Sequence, residues 1–479
     1  MFMALQWNIK KQWSLRSLVV LFCLQPFTFF GQSLPNSDSL DRIIRKSLLF
    51  IQNEQQTTTD ANSHFAGEWP TFMQMRTQFI LLGNQKKVYD SNCFALAGMI
   101  NLLSDMYRHD PSLTEIPPML DRAYPQLISY RDSNGYNFWP LMTPNGKMRW
   151  KEDSVRTDVK VRRPIQFKIS NTYIRRAANI MNDNDDTAQG MLAEWNYQNI
   201  VQGGNQKYRT QTFDAFRDTL RNNIHYYNHF ARDPRSSGAF LTWRGEEYDF
   251  PTANLVKLLI NNALFLTPRS TAYPTAYVSY MPYGSNDVDA VVNANVLSTL
   301  AVLNLKSAGT SGATEFIEQK IKRHKWSRAG VYYPNRYQVH YSVIKAWSNG
   351  AKSLSNCISP LIEHIKRTQL PNGSFESRKI VNRKDIVQST AYALNAMLKA
   401  GHPNETGLWV PIEKATAFLL QSARSKDQGI YWEGGVYFSG GTVIRNTLYW
   451  KSDALTSAIV IESLCLLRKY KFEKETNSH

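Results

Sequence analysis

Along most of the chain apolar residues return at intervals of three and four. Around residue 391 they fall at Ala391, Leu394, Met397 and Leu398, a spacing that winds them onto one side of a helix. Long stretches that alternate apolar and polar residues are scarce, so the pattern predicts an all-α chain. Helices are expected over residues 38–53, 89–108, 116–131, 183–199, 212–231, 286–305, 312–325, 340–349, 354–369, 386–400, 410–423 and 452–469.

These helices fall into two classes that take turns. Those at 38–53, 116–131, 212–231, 354–369 and 410–423 carry charges along one face, as helices with one side in water do. Their partners are more apolar and richer in small residues, as in Ala95-Leu96-Ala97-Gly98-Met99, Asn293-Ala294-Asn295-Val296-Leu297 and Ser457-Ala458-Ile459-Val460-Ile461. Crowded helices of that kind suit the inside of a ring, and charged-face helices suit its outside. The alternation predicts a single (α/α)6 toroid over residues 32–479. Its inner helices would begin near Asp90, Asp183, Asn286, His340, Asp385 and Ser452. The segments 132–182 and 232–285 are too long for simple turns and read as insertions at one mouth of the ring, the second with a helix over Ala253 to Phe265.

The first thirty-odd residues break the pattern. Lys10, Lys11 and Arg16 precede an apolar run from Leu18 to Phe30, which ends at Gly31, Gln32 and Ser33. That is the order of a signal peptide, and the run is shorter than the ~20 residues that cross a bilayer. Residues 1–31 are therefore expected to be removed on export to the periplasm or the medium. The rest of the chain is expected to be soluble or at most peripheral to a membrane.

Hydrophobic content of 43% and charged content of 20% fit a large folded core. Lys and Arg number 56 against 39 Asp and Glu, a net +17 that favours anionic partners. The basic residues are dispersed and no nucleic-acid recognition motif accompanies them, so a nucleic-acid partner is not expected. Beyond the leader the cysteines are Cys93, Cys357 and Cys465, an odd number on apolar helix faces, read as buried free thiols. CxxC and HExxH are absent, so no metal site is expected. The dinucleotide, phosphate-loop and nucleophile-elbow glycine motifs are absent too, and no cofactor is expected.

The most specific signal lies at the heads of inner helices. Asp183-Asn184-Asp185-Asp186-Thr187-Ala188 opens one, and Asn286-Asp287-Val288-Asp289 opens another. Three carboxylates within four residues cannot all ionise cheaply once dehydrated, because like charges raise each other's pKa. One of them then becomes an acid able to protonate a weak base such as an alkene, provided a neighbour orients its proton and aromatic faces steady the cation. The plainer reading is helix capping, since Asp is among the best N-caps and negative charge suits the first turn. That reading covers Asp287 and Asp289 as well. Their functional alternative is a second acidic wall of the same cavity.

DxDDTA at the head of an inner toroid helix resembles the acid motif of class II terpene cyclases, the group of squalene-hopene cyclase and copalyl diphosphate synthase. The resemblance implies that Asp185 delivers the proton, that Asp183 and Asp186 tune it, and that the substrate is a linear isoprenoid. The family's repeated motif, in which Gln caps a helix and a following aromatic packs between repeats, is echoed by Gln369-Leu370-Pro371-Asn372-Gly373-Ser374-Phe375, with Phe where Trp is usual. No DDxxD run exists to bind the magnesium of class I ionisation.

The chain holds 24 Tyr, 23 Phe and 12 Trp, and several gather in loops: Tyr283 before Asp287, then Tyr332, Tyr333, Tyr337 and Tyr341, then Tyr431, Trp432, Tyr437 and Phe438. In a cyclase Tyr283, Tyr337 and Trp432 would line the substrate, and His340 would orient an acid; individually, such rings also serve as ordinary packing. Two further readings stay open. One is an exported carbohydrate-active enzyme on the same ring, with Asp185 and Asp289 facing each other ~5 to 9 Å apart across an acidic glycan and Glu246, Glu247 or Glu433 nearby. The other is a noncatalytic ligand-binding toroid. An enclosed dry pocket at Asp185 favours the cyclase; an open polar groove favours the glycan.

Overall fold

In the computed structural model the described residues are 35–60, 63–75, 87–142, 161–162, 164, 180–203, 211–219, 236–244, 287–325, 329–377, 384–440 and 448–476. The leader over 1–31, Tyr283, Glu246, Glu247 and the helix expected over 253–265 lie outside them.

Eleven helices of ten or more residues run through the described residues: α1 (Ser37–Glu54), α2 (Cys93–His109), α3 (Ile116–Ser129), α4 (Asn184–Tyr197), α5 (Ala290–Val302), α6 (Thr310–Lys322), α7 (Arg336–Ser348), α8 (Ser355–Thr368), α9 (Ile386–Lys399), α10 (Trp409–Gln421) and α11 (Asp453–Thr476). Helices α2, α4, α5, α7, α9 and α11 pack each against the next, and α11 returns to α2, which closes a ring of six. Around it α1 lies on α11, α3 on α2 and α4, α6 on α5, α8 on α7 and α9, and α10 on α9.

Burial explains the division. Every residue from Ala290 to Leu300 of α5 is buried, and so is every one from Gln388 to Lys399 of α9, as befits helices with neighbours on all sides. Outer helix α1 buries Leu40, Ile44, Leu48 and Ile51 along one stripe and turns Asp38, Arg42 and Arg45 outward. Helix 386–400, expected inside, is inside.

At the sixth outer position residues 220–231 lie outside the described residues. Of the helix predicted over 212–231, only the single turn Gln211–Asp214 is helical among the described residues, and Ala215–Thr219 is irregular. One inner start also moves. The helix expected to begin at His340 begins at Arg336, capped by Asn335, whose Oδ1 accepts from Tyr337 N at 3.0 Å. His340 therefore sits in the second turn.

Short strands, which helical periodicity does not announce, cover one mouth. Strands β1 (Phe72–Met75), β2 (Val88–Tyr89), β9 (Val436–Gly440) and β10 (Leu448–Lys451) form an antiparallel sheet in the order β2-β1-β10-β9, with Phe72 opposite Lys451 and Leu448 opposite Gly440. Three two-stranded antiparallel sheets pair strands β3 (Arg131–Asp132) and β4 (Gly135–Tyr136), β5 (Leu141–Met142) and β6 (Val161–Arg162), and β7 (Arg424–Lys426) and β8 (Gly429–Tyr431). Cys93, Cys357 and Cys465 are buried free thiols.

The Gln369 motif does structural duty. Gln369 Nε2 donates to Gly373 O and Pro411 O at 3.1 and 2.8 Å, tying the end of α8 to α10. Gly373 has φ +85°, and a Cβ there would stand 2.2 Å from Lys414 O, so only glycine fits the turn. Phe375 is then buried edge-on to Tyr337 at 5.3 Å.

Candidate active site

The inner helices begin at the mouth that the sheet covers, and the acids meet there. A chain segment from Gly238 to Arg244 laces the heads of α4 and α5 together: Asn184 N donates to Thr242 O, Thr242 N to Asp287 O and Arg244 N to Asn182 O. Asn293 of α5 clasps the same segment, its Oδ1 accepting from Phe240 N at 2.9 Å and its Nδ2 donating to Phe240 O at 3.0 Å. Asn184 is turned toward this segment too, donating to Leu241 O and accepting from Arg244, so the one non-acidic residue among 183–186 serves as a tether.

The capping and chemical readings of the three acids prove to divide between residues. Asp183 is the N-cap of α4, accepting from Asp186 N at 2.7 Å. Asp185 caps nothing. Only 4% exposed, it accepts at Oδ1 from Asn295 Nδ2 of α5 at 2.7 Å, while its buried Oδ2 has no hydrogen-bonding partner among the described residues. Burial, with the charges of Asp183 and Asp289 close by, pushes its pKa well above the carboxylate range. Burial and Asp183 likewise raise Asp186, whose Oδ1 has no partner among the described residues. Asp183 itself is pushed up by burial to about 6. Raised as far as Asp185 is, a carboxyl keeps its proton near neutral pH, and that proton belongs on Oδ2, because Oδ1 already accepts.

Asp287 and Asp289 stand on the same wall but are spent on structure. Asp289 caps α5 through Val291 N at 2.7 Å and also receives the amides of Val331 and Tyr332. Burial, with Asp287 beside it, raises it to about 7. Asp287 accepts from Thr242 Oγ1 and from Tyr332 OH at 2.9 Å.

Three other expected site residues make their contacts with outer helices. His340 is buried between inner α7 and outer α8, its Nε2 2.9 Å from His364 Nδ1. Burial and that neighbour hold its pKa down to about 3, so it is a neutral packing residue. Tyr337 reaches outward, its hydroxyl 3.0 Å from Thr368 Oγ1 of α8. Trp432 is buried against α10, its indole donating to Leu419 O.

The rings that do roof the mouth centre on Phe438 of β9, with centroids 4.7 Å from Phe138, 5.2 Å from Trp450, 5.9 Å from Tyr332 and 6.0 Å from Tyr333. Phe94, in the first turn of α2, stacks on Tyr437 at 5.7 Å beneath them. Behind the roof Asp90 takes the indole N–H groups of Trp139 and Trp450, and burial raises its pKa to about 7. Sequence reasoning passed over Asp90 and Asn295. The signal for Asn295 was two asparagines, 293 and 295, in the first half of a mostly apolar helix.

Under Phe94 the ring holds a pocket of about 50 Å³ to which all six inner helices contribute, among its lining Phe94, Asn295, Tyr341 and Tyr392. Asn295 joins this pocket to Asp185. Among the described residues no three His, Cys, Asp or Glu side chains are grouped so as to hold a metal ion, and no helix is long and apolar enough to cross a membrane.

The ring is matched by solved structures. The type II terpene cyclase MstE from Scytonema superposes with a TM-score of 0.50 at 11% identity, over 90% of this chain and 99% of that one. A variant of MstE in complex with geranylgeranyl dihydroxybenzoate gives 0.51 at 11% identity over 91% and 98%. A protein from Actinoplanes gives 0.50 at 10% identity over 89% and 99%. No family model matches the chain, and no curated protein matches it. The fold is therefore a terpene cyclase-like (α/α)6 toroid.

Proposed function

We propose that this protein is a protonation-initiated cyclase acting on a linear isoprenoid, with Asp185 as proton donor. The observation that carries the reading is the state of Asp185: enclosed, raised in pKa, its Oδ1 held by Asn295 and its Oδ2 unengaged among the described residues. A capping aspartate needs none of this, and Asp183 already caps the helix. The likeness in fold to a type II terpene cyclase supports the same reading.

In the reaction the O–H bond at Asp185 Oδ2 breaks as a C–H bond forms at the less substituted carbon of a terminal alkene. The π pair makes that bond and leaves a tertiary cation, which a second double bond of the chain attacks to close a ring. The cyclic cation loses a proton to water and the Asp185 carboxylate takes one back from water, so protons balance and the product is an isomer of the substrate. Phe94 and the rings around Phe438 offer π faces to the cation. The cavity is smaller than the ~300 to 1,000 Å³ usual for small-molecule sites, so an occupant must displace the rings of Phe94, Tyr341 and Tyr392.

The glycan reading has less support. It needs two accessible carboxyl groups across a sugar, but Asp185 and Asp289 are both buried, and Glu433 lies in a separate cleft, ion-paired with Arg424 at 2.7 Å.

Wild type and Asp185→Asn, each incubated with a panel of linear isoprenoids and of acidic oligosaccharides, test the proposal by mass spectrometry of products. Wild type should yield a cyclic isomer, and Asp185→Asn should lower its rate by about 10³-fold or more with the fold intact. Undiminished product from Asp185→Asn ends the assignment of the donor. Oligosaccharide cleavage without isoprenoid turnover moves the protein to the glycan class.

A further inference from the structure

The sheet that covers the mouth has a second face. Phe72 lies opposite Lys451 and Gln74 opposite Tyr449, while Met73 lies opposite Trp450. Side chains alternate along a strand, so the first four share one face. Met73 and Trp450 share the other, where the Trp450 indole reaches Asp90 behind the roof. The first face floors a cleft of about 330 Å³, within the ~300 to 1,000 Å³ usual for small-molecule sites. The β7–β8 pair and the head of α11 supply its walls. At its base Val436 and Tyr449, 1% and 7% exposed, pack on each other apart from the main core.

Three kinds of group meet in this cleft. Its cations are Lys87, Arg424 and Lys451, its acids Glu433 and Asp453, and its rings Phe72, Tyr431 and Tyr449. Tyr431 is backed by Phe50, stacked at 4.8 Å with the planes 16° apart. Arg424 pairs with Glu433 at 2.7 Å, and Asp453 accepts from Gly434 N at 2.7 Å. A Cβ at Gly434 would stand 2.6 Å from Ser452 O, so only glycine lets the backbone beside Glu433 pass this close to the head of α11. Lys87 is exposed, and its Nζ stands 3.6 Å from the centre of the Phe72 ring. Among the described residues no carboxylate pairs with it.

This mixture selects its ligand. Carboxylates only accept hydrogen bonds, so Glu433 and Asp453 call for donors. Lys87 calls for an anion, and Tyr431 offers a flat apolar surface with a polar tip. Inorganic phosphate suits the cations but brings its charge against two carboxylates, and a hydrocarbon suits only the rings. A sugar acid carries all three complements: hydroxyl donors, one carboxylate and a face of C–H groups. We propose that the cleft binds an acidic oligosaccharide built of uronate residues, with Lys87 on a carboxylate and Tyr431 stacked on a sugar ring. The cleft and Asp185 lie on opposite sides of the sheet, so this binding neither rests on the cyclase reading nor involves cleavage of the sugar.

Calorimetric titration with trigalacturonic acid and with its methyl ester tests the site, because the two share their rings and hydroxyls and differ in charge. Wild-type protein should bind the acid at least about tenfold more tightly than the ester, as one charge-assisted hydrogen bond allows. Lys87 is exposed, so Lys87→Gln should fold. It should bring the acid down to the affinity of the ester and leave the ester unchanged. Tyr431→Leu keeps an apolar contact with Phe50 but removes the ring, and should weaken acid and ester alike by about tenfold. Asp185→Asn should bind the acid as wild type does, so the outcome stands apart from whether the protein cyclises an isoprenoid. No binding of trigalacturonic acid at about 10 mM, equal affinities for acid and ester, a preference that survives Lys87→Gln, or loss of binding in Asp185→Asn overturns the inference. Triglutamic acid bound as tightly as the saccharide also overturns it, since the cleft would then read charge without sugar.

Discussion

The two ends of the inner ring bury the same kinds of side chain in opposite protonation states. At the sheet-covered mouth Asp185, Asp186 and Asp289 face other acids, so burial drives their pKa values up. At the far end Asp105, 12% exposed at its side chain, is also largely buried, yet Lys345, Lys399 and Arg108 outweigh its burial and hold its pKa below the ordinary range. The charged form of a buried carboxyl is decided by what stands within a few ångströms of it rather than by depth. One sequence thereby places a reservoir of protons at one end of a helical ring and fixed charges at the other.

The strongest blow to this contrast is removal of a cation from the far end. Lys399 is 6% and Glu462 0% exposed at the side chain, 2.8 Å apart, so Lys399→Met leaves a buried carboxylate unpaired and should cost about 3 to 5 kcal/mol of unfolding free energy. Adding Glu462→Gln should recover much of the loss in a denaturant titration. A cost below about 1 kcal/mol would mean that the far end is as protonated as the mouth.

The contrast also has a pH signature. Glu68, Asp90 and Asp289 are raised by burial to about 7 from ordinary values of 4.5 and 3.8. Such groups hold more protons folded than unfolded, so the stability they contribute is full below the unfolded value and is lost as pH rises through the folded one. His340 and His364, lowered to about 3 and about 4 by burial, act the other way, but only below their unfolded value of 6.5. Between pH 6.5 and 8 the carboxyls act alone, and Tm followed by circular dichroism should fall by several degrees. A Tm that rises or stays level over that interval contradicts the raised values.

The smallest effect separates the capping acid from the donor. Asn caps a helix about as well as Asp, so Asp183→Asn should change unfolding free energy by no more than about 0.5 kcal/mol and leave partial cyclisation. Loss of all turnover in Asp183→Asn, with stability unchanged, would assign Asp183 a share in the proton transfer.

The ring was legible because each helix announces its place by burial. An inner helix such as α5 shows no polar face for water, and an outer one such as α1 shows a clean stripe. What escaped was whatever depends on contacts between distant segments. Strands of two to five residues lack the length to show a period, so the covering sheet was not foreseen. His340 was misplaced because Pro334-Asn335, a serviceable helix-start signal, was passed over in favour of the histidine. In the acid motif the residue types were readable, but their division into cap, tether and donor is set by Asn295, Arg244 and Leu241, each more than fifty positions away.

The sheet that roofs the mouth pairs Phe72 with Lys451, so it joins strands from near the start of the described chain to strands near its end. Arg468 of α11 reinforces the same junction by bridging Asp41 and Asp110. A ring sealed this way cannot close before α11 has been made, because α11 is the stave that meets α2. The apolar flank of α2 therefore waits exposed until α11 has been made. Contacts between such distant positions make folding slow and leave the open intermediate prone to associate with its neighbours.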